Sequence, residues 1–206
     1  TQRMPSMEVI AQNITVGQDG NITVKLPANA TGYVEIMVIG DGTYYSQVSN
    51  GQAVVYPKNL KEGGYSVDVR YHGDQYDNYR SVLVESYFTV SKAKVNVTID
   101  VNDTVYGNAS DIVVYVDDGV EGSITIRIND NLIGNYTIVD GKVNVTVKLD
   151  AGSYTVHAEY NGNYKYSVNK TESKHFTVVK ATPVININTP DAIDAATNAT
   201  IIVRIN

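Results

Sequence analysis

The chain is 206 residues long, carries a formal net charge of −6 and has a sequence pI near 5.0. Since no basic run exceeds two residues, the chain is not expected to bind nucleic-acid phosphates or anionic lipid headgroups. The chain contains no cysteine, which excludes disulfides, thiolate metal sites and cysteine nucleophiles. No apolar stretch approaches the roughly 18–20 residues that cross a bilayer, so we expect no membrane insertion by this segment.

An internal repeat organises the sequence. Leu60–Tyr71 reads LKEGGYSVDVRY, and 89 residues later Leu149–Tyr160 reads LDAGSYTVHAEY. Phe88-Thr89-Val90 recurs 88 residues later as Phe176-Thr177-Val178. A period of this length corresponds to a whole small domain, which makes the chain a tandem array.

The repeat sets the predicted domain boundaries. We assign residues 1–92 to a first repeat and residues 93–180 to a second repeat, each long enough to bury its own core. The pattern restarts at Lys180-Ala181 where it had restarted at Lys92-Ala93. Residues 181–206 are therefore predicted to begin a third copy.

Apolar residues alternate with a period of two along most of the chain, which indicates strands with one buried and one solvated face. In the first repeat Tyr65, Val67, Val69 and Tyr71 form one such row, and Gly40–Asn50 shows the least alternation. The second repeat is predicted to contain strands near Val95–Val101, Asp111–Val116, Ser123–Asn129, Asn135–Val139, Lys142–Lys148, Gly152–Tyr160 and Lys174–Val179.

These short strands, separated by turn signals such as Asp140-Gly141, predict an all-β chain of tandem immunoglobulin-like β-sandwich modules. The pattern Gly-x-Tyr-x-Val followed by Tyr-x-Gly resembles the penultimate strand of bacterial and archaeal Ig-like repeat domains, and the Phe-Thr-Val segment resembles their last strand. The cysteine-free composition, rich in Asn, Tyr and Thr, is similar to that of adhesin-like surface proteins of methanogenic archaea. The resemblance implies that Tyr65 and Tyr154 can form tyrosine corners.

The sequon Asn-x-Ser/Thr is over-represented. It occurs ten times, whereas 20 Asn and 30 Ser plus Thr predict about three by chance. The excess favours an exported, N-glycosylated protein, although outward Asn residues followed by β-forming residues produce the same pattern. The candidate acceptors are Asn13, Asn21, Asn29, Asn96, Asn102, Asn108, Asn135, Asn144, Asn169 and Asn198.

Tyrosine dominates the aromatic residues, with 16 Tyr against two Phe and no Trp. Several, including Tyr44 and Tyr45, gather near predicted turns, where a flat ring and a hydroxyl suit contact with a sugar or a protein. The candidate ligand-binding residues are Tyr76, Tyr79, Tyr164 and Tyr166. Alternatively, these rings cover the end of a sandwich or pack against the neighbouring repeat.

Signals for catalysis and metal binding are weak. His72, His157 and His175 stand at no metal-ligand or dyad spacing, and by parity His157 faces solvent. No nucleophile elbow, phosphate loop or zinc motif occurs. Acidic pairs such as Asp117-Asp118 supply few of the about six to eight oxygens that calcium takes. We therefore expect no enzyme activity, no catalytic or metal site and no cofactor.

Residues 181–206 are predicted to hold two strands, near Val184–Asn188 and Ala199–Ile205. Two strands alone are marginal in water and leave apolar edges open to pairing. They either begin a further module of a longer array or complete a sandwich in a neighbouring chain as donor strands.

The sequence as a whole predicts an extracellular, non-catalytic, adhesin-like segment of the cell surface that serves as a stalk or adhesive module. The expected partners are other cell-surface proteins, glycans or copies of the chain itself. The alternative is a subunit of a self-assembling extracellular filament or surface layer, joined by strand complementation through residues 181–206.

Overall fold

A computed structural model describes residues 3–73, 79–171 and 173–205. All the regular structure in these ranges is β-strand. The chain divides into two compact units, Thr1–Asn96 with Asn161–Asn169 and Val97–Tyr160 with Lys170–Asn206. The predicted module limits at residues 92 and 180 stay predictions. No helix in the described ranges has the length and apolar character to span a membrane.

The strands of residues 3–96 form two sheets. Their order is β1-β3-β6 in one sheet and β2-β8-β7-β4-β5 in the other. The short β2 runs parallel to β8, whereas the other neighbouring strands in both sheets are antiparallel. The strands are β1 (Glu8–Ala11), β2 (Ile14–Thr15), β3 (Ile22–Lys25), β4 (Tyr33–Val38), β5 (Gly42–Gln47), β6 (Gln52–Val55), β7 (Gly63–Tyr71) and β8 (Val82–Ser91).

The second repeat reproduces this arrangement. Its sheets have the orders β14-β11-β9 and β10-β17-β15-β12-β13, and β10 again runs parallel to the last strand. The strands are β9 (Val97–Val101), β10 (Thr104–Val105), β11 (Ser110–Val116), β12 (Ser123–Ile128), β13 (Asn131–Thr137), β14 (Lys142–Val147), β15 (Gly152–Tyr160), β16 (Asn169–Lys170) and β17 (Lys174–Val179). Beyond them, β18 (Ile185–Asn188) and β19 (Ile202–Ile205) form an antiparallel pair.

The central strands of the two repeats, β4 with β7 and β12 with β15, pair in the same register. Val34 of β4 stands opposite Tyr71 of β7, and the equivalent pair in the second repeat is Ile124 opposite Tyr160. All four side chains are fully buried. Burial of each large apolar side chain contributes about 1.5–3 kcal/mol, which lets each sandwich close without a disulfide or a metal.

Tyrosine hydroxyls tie the ends of the core strands to backbone carbonyls. Tyr65 and Tyr154 each donate to the carbonyl oxygen four residues upstream, at 2.9 and 2.8 Å, as expected for tyrosine corners. Their rings stack on Phe88 and Phe176, with centroids 5.3 and 5.6 Å apart. Each ring thus adds apolar contact inside the sandwich while its polar atom is satisfied.

One predicted turn is confirmed by the structure, whereas another turn changes the predicted start of a strand. At Asp140-Gly141 both φ angles are positive, 50° and 71°, so the predicted two-residue hairpin turn is present. The strand predicted near Asn135–Val139 begins earlier, at Asn131. Asn129 and Asp130 themselves adopt positive φ, 46° and 64°, and turn the chain in two residues, so Asn131 already begins β13.

Candidate functional site

The segment Asn161–Asn169 carries two of the predicted contact tyrosines and belongs to the first unit. Asn163 Oδ1 accepts hydrogen bonds from the backbone N–H groups of Lys165 and Tyr166, both at 2.8 Å. Tyr164 is 79% exposed, whereas Tyr166 is half-buried with Lys165 Nζ 5.2 Å from its ring centroid. The closed turn therefore presents Tyr164 to solvent, whereas Tyr166 is half-buried and forms a parallel bridge with Ala93.

A groove of about 540 Å³ in the first unit includes Tyr164 in its wall. Val16 and Leu60 supply apolar surface, and the ion pair between Lys92 Nζ and Glu62 Oε2, at 3.6 Å, lies at its edge. The groove has the size of a small-ligand pocket.

The other two predicted contact residues are placed differently. Tyr76 lies outside the described residues. Tyr79 is half-buried, packs against the core of the first unit and donates its hydroxyl to Asn29 Oδ1 at 2.9 Å. This geometry matches the alternative in which the ring covers the end of the sandwich, so a contact role for Tyr79 stays a prediction.

The structure brings together a cluster that the sequence analysis did not identify. Tyr33, Tyr45 and His72 lie on the outward face of the sheet formed by β5, β4 and β7. The ring centroids of Tyr33 and Tyr45 are 6.3 Å apart, and Tyr33 stacks on His72 at 4.8 Å with an interplanar angle of 20°. We call these three residues the aromatic platform.

Polar groups border the aromatic platform. His72 Nε2 lies 3.0 Å from Glu35 Oε2, which fixes the imidazole beside Tyr33. Gln47 stands directly opposite Tyr33 in the β4–β5 ladder and lines a concavity of about 360 Å³ together with Tyr33 and Tyr45. The two tyrosine side chains remain 40% and 65% exposed, so part of each ring is accessible to a ligand although His72 covers one face of Tyr33.

The second unit has a polar cleft of about 260 Å³ on the outward face of β12 and β15. Arg127 and His157 line it, and Lys170 Nζ pairs with Glu159 Oε2 at 3.2 Å. His157 is half-buried between the buried Val156 and Ala158, so its outward position follows the predicted parity. No group of three His, Cys, Asp or Glu side chains in the described ranges is arranged to hold a metal ion.

The candidate glycosylation acceptors differ in access. Asn21 and Asn169 are half-buried, and Asn169 Nδ2 donates to the carbonyl oxygen of Val95 at 2.7 Å. N-glycosylation modifies this nitrogen, so a glycan at Asn169 would replace a hydrogen bond of the fold. The exposed acceptors are Asn13, Asn29, Asn96, Asn102, Asn108, Asn135, Asn144 and Asn198.

Tyr44 has an unusual titration. Its side chain is turned towards the core of the first unit, and its hydroxyl donates to Asp41 Oδ2 at 2.5 Å. Burial and then the hydrogen bond to the Asp41 carboxylate raise the pKa of Tyr44 to about 12. The neutral phenol is thus favoured in the folded chain. Its contribution to stability is complete below the unfolded pKa near 10 and is lost as the pH rises through about 12.

We therefore predict a late-titrating phenol that belongs to one residue. Ultraviolet absorbance of phenolate should show a component with a pKa of about 12, and Tyr44→Phe should remove it. Tyr45→Phe, the neighbouring outward residue, is the matched control and should leave the component in place. A titration unchanged by Tyr44→Phe would contradict the assignment.

No protein-family model and no curated protein matches the chain. Solved structures that are similar include the titin domains Z1Z2 in complex with telethonin, at 13% identity, a TM-score of 0.50, and coverage of 88% of this chain and 100% of that chain. They also include fibronectin(III)-like modules of Clostridium thermocellum CbhA, at 15% identity, a TM-score of 0.37, and coverage of 85% and 95%. At such identities the likeness concerns the fold alone: the chain is an all-β protein of tandem immunoglobulin-like β-sandwich modules.

Proposed function

We propose that the chain is a non-catalytic, adhesin-like repeat segment of an extracellular cell-surface protein, acting as a stalk and adhesive module in cell–cell or cell–surface attachment. One observation carries the proposal: the two repeats have equivalent interiors and different exteriors. The buried pair Val34 and Tyr71 has its counterpart in Ile124 and Tyr160. The outward Tyr33, by contrast, is replaced by Ser123 in the second repeat. A repeated scaffold whose surface varies is suited to presenting contacts, because Ig-like folds place function on their surface.

The abundance and exposure of the sequons support an extracellular location. Eight of the ten candidate acceptors are exposed, so attached glycans would point into solvent without disturbing a core. The partners that we propose are glycans and other proteins of neighbouring cell surfaces.

Surface labelling tests this location and role. Antibodies against the purified chain should bind intact cells of the producing organism, and coated beads should adhere to those cells or to their natural surface. Peptides that contain the sequons, released from the protein isolated from its source, should carry hexose-sized mass increments. Labelling confined to permeabilised cells would overturn the proposal.

A second candidate function is a subunit of a self-assembling filament or surface layer. The observation that favours it is the β18–β19 hairpin, in which Ile187 stands opposite Val203 and Ile185 opposite Ile205 on one face. The equivalent pair in β9 and β11, Ile99 opposite Val114, forms part of a covered core. In β18–β19 the same face is exposed along its whole length, which leaves it open to strands from a second copy.

Association through this face has a sharp test. The full chain should form multimers at rising concentration in native mass spectrometry, and Ile187→Asp should weaken association at least about tenfold, because a carboxylate would be buried unpaired. Asn186→Asp, on the same strand but the opposite face, is the matched control and should still assemble. A chain that stays monomeric, or two variants that assemble equally, would exclude strand complementation through residues 181–206.

A further inference from the structure

The aromatic platform is not required by the fold. The positions that match Tyr33 and Tyr45 in the second repeat are Ser123 and Asn135, which pair across β12 and β13 with Thr137 and Thr125. At these positions β12 and β13 pair in the same register as β4 and β5, and the register shift of the second repeat lies further along, between Ile126 and Arg127. The aromatic residues of the first repeat therefore need a reason other than folding.

The chemistry of the cluster fits a sugar. Tyr33 and Tyr45 have ring centroids 6.3 Å apart and planes tilted by 53°, so a pyranose ring can stack its apolar C–H face on one ring while its edge contacts the other. Gln47 offers an amide beside Tyr33, and His72 is already positioned by Glu35 at 3.0 Å. Open aromatic faces with a few fixed polar groups at their border match a ligand that has one apolar face and many hydroxyls.

The concavity is lined by Tyr33, Tyr45, Ser46 and Gln47, and its size, together with the charged residues on the neighbouring strands, restricts the class of ligand further. About 360 Å³ accommodates one or two sugar rings, whereas a stable protein partner needs about 800 Å² of surface on each side. Glu35 is the acidic group of the cluster, and Arg70 stands opposite it in the β4–β7 ladder. Neighbouring groups of opposite sign favour a neutral ligand over an anionic or a cationic one.

We propose that the aromatic platform of Tyr33, Tyr45 and His72 is a binding site for a neutral saccharide, with Gln47 and Glu35 as its polar border. The site deepens the proposed adhesive function and rests on it, because it supplies the contact that an adhesive module needs. It lies on the sheet face of the first repeat, and none of its residues is one of the four candidate ligand-binding residues Tyr76, Tyr79, Tyr164 and Tyr166.

The test uses the full chain, produced without glycans, on an array of neutral oligosaccharides that end in glucose, galactose, mannose or N-acetylglucosamine. Sialylated and sulfated oligosaccharides are the charged comparison. The double variant Tyr33→Ser, Tyr45→Asn carries the residues of the second repeat and should bind the best neutral probe at least about tenfold more weakly. Tyr87→Asn, an exposed tyrosine of β8, is the matched control and should bind like the parent.

Each outcome decides the proposal. Binding of a neutral probe that the double variant loses and the control keeps supports it. Failure of the parent to bind any neutral probe, preference for charged probes, or equal binding by parent and double variant overturns it. Because binding is measured on purified protein, these results are independent of the cell-labelling experiment, which tests the location of the protein.

Discussion

Replacing Tyr160 with alanine is expected to lower the free energy of unfolding of the second sandwich by about 3–5 kcal/mol, the usual cost of deleting a buried aromatic ring. The side chain is 0% exposed, and its hydroxyl donates to the carbonyl oxygen of Glu121 at 2.9 Å. Tyr71 occupies the same place in the first sandwich, also 0% exposed and bonded to the carbonyl oxygen of Thr31 at 2.7 Å. Tyr71→Ala should have an equal effect there.

Substitution by phenylalanine separates the contribution of the buried ring from that of the hydroxyl hydrogen bond. Tyr71→Phe and Tyr160→Phe keep the ring but remove the phenolic donor, so each should cost about 1–3 kcal/mol. Urea unfolding gives the free energies, and hydrogen exchange of β7 and β15 amides assigns each loss to its own sandwich. Tyr45→Ala, at an exposed position, is the control and should change stability by no more than about 0.5 kcal/mol. Losses of that small size in the core alanine variants would contradict the role given to the buried rings.

The inward rows of the sandwiches could be predicted because alternation along a strand is a local property. Val67, Val69 and Tyr71 follow parity, and all three are fully buried. The two-residue turn at Asp140-Gly141 was equally local, since the residue types alone permit positive φ. The all-β fold class rested on the same local alternation and was confirmed.

Two of the shortest strands of the sheets could not be recognised from alternation in the sequence. β2 and β10 are two residues long and run parallel to the last strand of their repeat, so alternation could not identify them. Gly40–Asn50 has little alternation because β5 is an edge strand with one partner, β4, and much of its side-chain surface is exposed. Tyr45 was therefore expected only to lie near a turn, whereas it belongs to β5.

The aromatic platform could not be predicted because its members are neighbours only across strands. His72 and Glu35 are 37 residues apart in sequence, and their side chains meet only when β4 pairs with β7 in one register. Conversely, Tyr79 met every sequence criterion for an exposed contact residue, but Asn29, 50 residues away, accepts its hydroxyl hydrogen bond. Long-range pairing thus decides which tyrosines face solvent.

The second large destabilisation that we expect comes from a glycine substitution, for which the two repeats provide equivalent positions. Asn50-Gly51 and Asp140-Gly141 are equivalent turns, with glycine φ angles of 72° and 71°. A Cβ at Gly51 would lie 2.6 Å from the carbonyl oxygen of Leu26 and 2.8 Å from that of Pro27. A Cβ at Gly141 would meet nothing closer than 3.6 Å.

Gly51→Ala should therefore destabilise the first sandwich by about 3 kcal/mol or more, at the upper end of single-substitution effects. Gly141→Ala should cost the second sandwich only about 1–2 kcal/mol, because positive φ is its sole penalty. Amide exchange in β6 and β14, the strands that follow the two turns, reports each loss separately. Since the backbone conformation is shared, the difference between the variants measures the clash with the Leu26–Pro27 carbonyls. Equal losses would mean that the surrounding backbone yields, and that positive φ alone makes glycine necessary in both turns.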